Sequence, residues 1–401
     1  MPNSNMNSND TITIVPAQRV LEIQEYYFSK KLKEVAQLNQ QGHNIISLGI
    51  GGPDRPPHSS IIETFVNEVR QPNNHSYQPY VGLPQLRKSM AEWYARWYGV
   101  NIDADKEIQP LIGSKEGILH ISLAFLNPGD GVLVPNPGYP TYTSASRLVQ
   151  AEIYNYDLTE ENGWMPDFEA IEQLPLERIK LMWINYPHMP TGTPASLELF
   201  QRIVDFGRKH NIVIVNDNPY SFILNDKPLS LLQIDGAKEI AIEMNSMSKS
   251  HNMAGWRMGM VASNPTFINW ILKVKSNIDS GQFKPMMLAA VKGYELDKDW
   301  YDSINATYAQ RRKVAEEIMT TLDCNYDPNQ QGLFLWGRIP ESEKSSETLA
   351  DKLLYQAGVF ITPGFIFGSN GQRYIRISLC ATIDNMQQAL FRIKKLYTNK
   401  L

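Results

Sequence analysis

Apolar residues recur along this chain in two lengths. Short, mostly apolar runs stand at Ile45–Leu48, Val132–Pro135, Ile179–Ile184, Ile212–Val215 and Ala241–Met244. Runs of that size, bounded by turn residues, predict strands buried on both faces. Between them lie longer stretches with helical periodicity. In 83–98, Leu83, Leu86, Met90, Trp93, Tyr94 and Trp97 share one face. Further helices are predicted over 116–126 and over 196–209, where Phe200, Ile203 and Val204 point inward. This alternation is the signature of an α/β fold with a mostly parallel sheet flanked by helices.

After about residue 290 the pattern changes. A long helical stretch over 298–322 is followed by strand-like pieces near Leu333–Trp336 and Tyr374–Leu379. The polar stretch 340–350 reads as a surface connection. This predicts a smaller α+β domain, so the chain divides into an N-terminal arm and start of the small domain (1–45), a large domain (46–290) and the small domain (291–401). Residues 1–12, rich in Asn and Ser, read as a mobile tail.

With 401 residues and 42% hydrophobic content, the chain can fill the core of such a fold. Its net charge of −4 gives no basic excess for nucleic acid or an anionic membrane. No apolar run approaches the roughly 20 residues that span a bilayer. The two cysteines, Cys324 and Cys380, lack metal-ligand spacing, and no metal is expected. Few cysteines and no visible secretory signal predict a cytoplasmic protein.

Six segments have the composition for chemistry. In SMSKSHNMAGWRMG (246–259), Lys249 stands among serines, eight residues before Arg257. A lysine amine can form a Schiff base with an aldehyde, and serines with an arginine suit a phosphate. A polar surface loop would read the same way. In IVIVNDNPY (212–220), an apolar strand ends at Asp217, the end at which open α/β sheets bind ligands. A buried carboxylate there needs a cation or hydrogen bonds, unless it caps a turn. In LIGSKEGIL (111–119), a strand runs through Gly113, Ser114 and Lys115 into a helix, whose first amides can hold phosphate. NPGYPTY (136–142) offers aromatic rings for stacking, and NYPHMPTG (185–192) follows a third strand. RYIRISL (373–379) carries two arginines on a strand, a geometry that can grip a carboxylate or face solvent.

In order and spacing these segments, with LGIGGPD (48–54) and YQPYVGLPQLR (77–87), resemble the class I/II aminotransferases of pyridoxal-5'-phosphate (PLP) fold type I over about residues 45–385. The resemblance implies a PLP-dependent homodimer with its active site at the subunit interface. It would move an amino group from an L-amino acid to a 2-oxo acid such as 2-oxoglutarate in ping-pong fashion. It also implies roles. Lys249 would be the Schiff-base lysine and proton shuttle, Asp217 the partner of the pyridine nitrogen, and Tyr220 a donor to the phenolic oxygen. Tyr139 would stack on the ring. Gly113, Ser114, Lys115, Ser246, Ser248 and Arg257 would surround the phosphate, with Tyr77 reaching it from the neighbouring subunit. Asn185 would also contact the cofactor. Gly51 and Arg376 would bind the substrate, Arg376 through its α-carboxylate.

KSNIDSGQFKP (275–285) is most similar to the diaminopimelate aminotransferase-like branch. Two positions depart from the pattern. Met189 stands where relatives carry an asparagine that donates to the phenolic oxygen, and a thioether cannot donate. Tyr220 would then act alone or with His188 or Asn185, and the Schiff-base pKa is expected to rise. Met287 stands where relatives often carry glutamine. A carbon–sulfur lyase on the same fold, or a PLP-binding regulator without transaminase activity, are the alternative functions.

Overall fold

The computed structural model describes residues 14–21 and 27–398. The tail expected over 1–12 lies outside the described residues. Among the described residues twelve strands occur, in chain order: β1 (Ile46–Ser47), β2 (Ile108–Leu111), β3 (Gly131–Asn136), β4 (Glu152–Asp157), β5 (Ile179–Ile184), β6 (Val213–Asp217), β7 (Ala241–Ser246), β8 (Gly259–Ala262), β9 (Phe334–Arg338), β10 (Val359–Phe360), β11 (Thr362–Pro363) and β12 (Tyr374–Ser378).

The central sheet has seven strands in the order β2-β8-β7-β6-β5-β3-β4. β4 through β7 pair in parallel along the sheet, and β8 alone runs antiparallel to both neighbours. β6 opens on Val213, Ile214 and Val215 and β7 on Ala241 and Ile242, followed by the buried Glu243, because helices cover both faces; Ile214, Val215 and Ile242 have no exposure. Each such side chain contributes about 1.5–3 kcal/mol by leaving water. The helices Pro84–Tyr98 and Leu197–His210 supply the faces that their periodicity predicts, with Leu86, Met90, Trp93, Phe200, Ile203 and Val204 buried.

β6 begins one residue later than its apolar run and, like β7, continues two residues beyond it. Two further strands have no long apolar run at all. β4 is an edge strand (EIYNYD) whose outer positions are exposed, so its pattern is polar. β8 is four residues long and lies inside the glycine-rich stretch after Arg257.

A three-stranded antiparallel sheet, β11-β12-β9, lies in the C-terminal part. β1 pairs in parallel with β10, joining residues 46–47 to 359–360. The helix Lys298–Thr321 and the helix Ile383–Thr398 pack together beside these strands.

The parallel strands point the same way, so their carboxyl ends form one rim. Asn136, Asn185, Asp217 and Ser246 all sit at or just after strand ends on that rim. β3 is flanked by β4 on one side and β5 on the other, so the chain reverses direction across the sheet there. A crevice opens at such a switch point.

Candidate active site

A cavity of about 760 Å³ occupies the crevice. Its wall includes Gly51, Ser114, Lys115, Tyr139, Asn185, Asp217, Tyr220, Ser246, Ser248, Lys249, Arg257 and Arg376, which are twelve of the residues singled out by the sequence. Gly113 borders it. Tyr77 does not, being 90% exposed elsewhere on the surface.

One end of the cavity is built to receive an anion. β2 leads into Gly113, which has φ +76° and caps the helix Ser114–Phe125 without any side chain covering the first amides. Those amides and the helix dipole favour negative charge. A Cβ at Gly113 would stand 2.2 Å from Arg257 Nη2, so glycine lets the guanidinium lie against the turn. Gly259 likewise admits the Ser114 amide, 3.0 Å from where its Cβ would be. Ser246, at the end of β7, donates its hydroxyl to Ser248 Oγ at 2.8 Å.

A buried charge network holds this turn, and the sequence offered no separate sign of it. Glu116 accepts a hydrogen bond from the Ile112 amide and lies 2.5 Å from His120 Nε2. Lys275, 1% exposed, pairs with Asp279 and lies 3.5 Å from Glu116. Burial alone would raise the Glu116 carboxyl, but His120 and Lys275 outweigh it and hold it below its ordinary range. The KSN and DSG pieces of the 275–285 segment thus tie the helix Pro265–Lys275 to the anion-binding turn.

In the middle of the cavity stand Lys249 and Asp217. Lys249 Nζ donates to the Gly51 carbonyl. Burial lowers its pKa, and the nearby Arg376 and Arg257 lower it further, while Cys380 and Asp217 oppose them. A larger fraction of neutral amine results, the form that attacks a carbonyl carbon. Asp217 Oδ2 accepts from Tyr142 at 3.0 Å, and its Oδ1 is buried with no partner. Burial pushes this carboxyl up to about 6, against the pull of Tyr142 and Lys249. A buried, half-satisfied carboxylate aimed into a cavity fits a ligand that brings a positively charged N–H.

Tyr142 itself was not among the expected site residues. Its ring stacks on Trp183 at 5.1 Å and 4° interplanar angle, and Tyr139 meets it edge-on at 5.5 Å. Its signal lay in the second tyrosine of the 136–142 segment.

Arg376, on β12, enters from the C-terminal sheet. One Nη donates to the Gly49 carbonyl at 2.8 Å and the other lies 3.3 Å from Met189 Sδ, while Nε is buried and unpartnered. No carboxylate pairs with it among the described residues, and burial lowers its pKa to about 10. It is thus a desolvated cation ready for an anionic ligand.

The support expected from His188 does not fit. Its Nδ1 is engaged with Thr191 Oγ1 at 2.8 Å, and burial pushes its pKa down to about 3, so it is a neutral ring outside the cavity wall. Asn185 does line the cavity, but its Nδ2 donates to the Asp217 carbonyl and its Oδ1 accepts from the Met189 amide at 2.8 Å. It shapes the loop that presents Met189. Met287 is fully buried in the core and away from this wall.

A mostly parallel sheet with a lysine amine facing a buried carboxylate, an anion cradle on one side and an unpaired arginine on the other, defines an α/β enzyme of PLP fold type I. Residues 43–393 match the family model for aminotransferase class I and II, and the chain belongs to that family. It is 39% identical over 379 residues to an LL-diaminopimelate aminotransferase of Dehalococcoides mccartyi, covering 94% of this chain and 97% of the relative. It is 40% identical over 382 residues to the enzyme of that name from Moorella thermoacetica, covering 95% and 98%. Among solved structures it is similar to substrate-bound BacF from Bacillus subtilis, with a TM-score of 0.92, 34% identity and coverage of 96% and 98%. The chain is therefore a PLP-dependent aminotransferase in class. No helix among the described residues is long and apolar enough to cross a membrane.

Proposed function

We propose that this chain binds PLP in the crevice and transfers an amino group from an L-amino acid to a 2-oxo acid. The observation that carries the reading is the unpartnered Oδ1 of Asp217 in the same cavity as the Lys249 amine. When bound, PLP supplies an aldehyde that captures amines and a protonated ring that accepts electron density from the substrate carbon.

The chain's own residues do the rest. Asp217 Oδ1 keeps a ring nitrogen protonated by opposite charge at short range. Tyr139 covers one face of the ring and Tyr220 donates to its phenolic oxygen. Gly113, Ser114, Lys115, Ser246, Ser248 and Arg257 hold the phosphate. Arg376 grips the substrate α-carboxylate beside Gly51, which orients the Cα–H bond. Lys249 Nζ would hold the aldehyde group of the cofactor and would serve as the base that moves the substrate Cα proton. Tyr77 is exposed in the single chain, and the reading assigns it to the phosphate of a second copy in a homodimer. The low cysteine content supports a cytoplasmic location. The names of the relatives put diaminopimelate among the candidate donors, and the resemblance puts 2-oxoglutarate among the acceptors.

The test is a half-turnover. Adding an L-amino acid to the PLP-loaded protein should bleach its visible band, and a 2-oxo acid should restore it, with parallel-line steady-state kinetics. Release of ammonia and pyruvate without any need for an acceptor would instead indicate a lyase.

Met189 makes a second prediction. Its sulfur cannot donate, so Tyr220 alone serves the phenolic oxygen. An asparagine here adds a donor worth about 0.5–1.5 kcal/mol. In Met189→Asn the pH at which the bound cofactor changes colour should fall by about 0.5–1 unit. A spectrophotometric titration identical to that of the parent chain would rule this out.

A further inference from the structure

The strands β2 and β8 pair as far as Leu111 and Gly259. Beyond that pair they part, and the anion cradle lies in the fork, with Gly113 on one prong and Arg257 on the other. A side chain from elsewhere in the sequence pins this fork. Gln282, 8% exposed, points its Nε2 at two carbonyls, that of Leu111 at 3.0 Å and that of Arg257 at 3.4 Å. A side-chain amide has two N–H groups, so it can serve both prongs at once. Arg257 has φ +57°, a costly conformation for a residue with a Cβ, and the bond to its carbonyl helps to hold it there. The Arg257 guanidinium is fixed in turn through Nη1, which donates to the Ala254 carbonyl at 2.8 Å.

The peptide unit that joins Leu111 to Ile112 is thereby gripped at both ends. Its carbonyl accepts from Gln282, and its N–H donates to Glu116 Oε2. Both grips trace to one stretch of chain, Lys275 to Gln282. Lys275 Nζ pairs with Asp279 and lies 3.5 Å from Glu116, and Asp279 Oδ1 accepts from the Gly281 amide at 2.9 Å, one residue before Gln282. A planar peptide held through both its C=O and its N–H is not free to turn, so the amides of Gly113 and Ser114 that follow it keep their direction. Glu116, Lys275, Asp279 and Gln282 stand off the cavity wall, and every contact named lies within one chain. The clamp therefore holds the cradle from behind and leaves its open side to the cofactor and to whatever a second copy adds.

We propose that Gln282 is a positioning residue for the cofactor phosphate, and that with Glu116 it clamps the Leu111–Ile112 peptide so that the Gly113 turn and Arg257 meet the phosphate preorganised. The inference rests on the PLP reading above and adds to it a source of affinity that lies off the cavity wall. A cradle already fixed in shape loses less freedom on binding, and the gain falls on the phosphate rather than on the ring or the aldehyde.

The experiment titrates the full chain, freed of cofactor, with PLP or with pyridoxal, which carries the same aldehyde and ring without the phosphate. The visible band of the covalent link to Lys249 reports both dissociation constants, and the ratio of the pyridoxal constant to the PLP constant measures what the phosphate contributes. Gln282→Met keeps the length of the side chain and removes both donors. It should lower the ratio about tenfold, with the pyridoxal constant itself within about twofold of the parent's. Gln282→Asn, one methylene too short to span both carbonyls, should lower the ratio in the same direction and serves if the methionine variant does not fold. An unchanged ratio in a folded variant overturns the proposal, whether neither constant moves or both weaken together; the latter marks a purely structural role. A parent chain that forms no band with PLP overturns the PLP reading instead.

Discussion

Lys249→Ala is expected to fold, to bind PLP without the visible band of a covalent link, and to transaminate at least about 10³–10⁴-fold more slowly. Two separate losses combine in this one change. The first is the nucleophile that exchanges with the substrate amine, whose pKa burial holds down so that neutral amine is available. The second is the base that moves the Cα proton. The nearest alternatives are poorly placed to replace it: Asp217 is engaged with Tyr142, and Tyr220 is pushed far above its ordinary pKa by burial. The fold should persist because the lysine's one hydrogen bond is to the Gly51 carbonyl at the cavity edge. Absorbance, circular dichroism and turnover on the same preparation decide the matter. Normal colour and normal rates would place the chemistry elsewhere.

The second large effect belongs to Asp217. Asp217→Ala should keep PLP weakly and lose roughly 10²- to 10³-fold in turnover, the scale of breaking a buried charge pair. A stability measurement isolates the physical cause. In the cofactor-free protein this carboxyl titrates near 6 instead of 3.8, because burial penalises its charged form. The native state therefore holds the proton more tightly than the unfolded chain does. Its contribution to stability is full below about pH 3.8 and is lost as pH rises through 6, by about 3 kcal/mol. Asp217→Asn cannot ionise and should lack that component, so the stability difference between this variant and the parent protein should grow across this window in favour of the variant. PLP should remove the difference by setting a positive charge against Oδ1. Denaturation curves from pH 4 to 7, with and without PLP, measure it. Parallel pH profiles for the two cofactor-free proteins would mean that the carboxylate is not desolvated.

Much of this machinery could be read before any coordinates, for a local reason. Strands β5, β6 and β7 are buried on both faces over most of their length, so they announce themselves as largely apolar runs, interrupted by Lys180 and Glu243. The first polar residues after each run then fall on the rim of the sheet. Asn185 and Asp217 were found in that way, and Ser246, Ser248 and Lys249 by their place in the serine-rich segment 246–259. The edge strand β4 and the short β8 were not, because half-exposed or four-residue strands leave no such run.

The sequence by itself therefore determined the α/β alternation, the rim residues and the spacing of lysine, serines and arginine, since each depends on neighbours within one element or one turn. Tertiary structure alone decided which groups meet across long stretches of chain. It set Tyr142 against Asp217 Oδ2, Lys275 beside Glu116, and Arg376 against Met189 and between Phe28, Phe334 and Phe367. Periodicity records that a side chain is buried; it does not record what it is buried against. Whether Arg376 faces a counter-charge or a ring within the chain emerges only when β12, β9 and the helix Tyr27–Gln40 close on the same crevice.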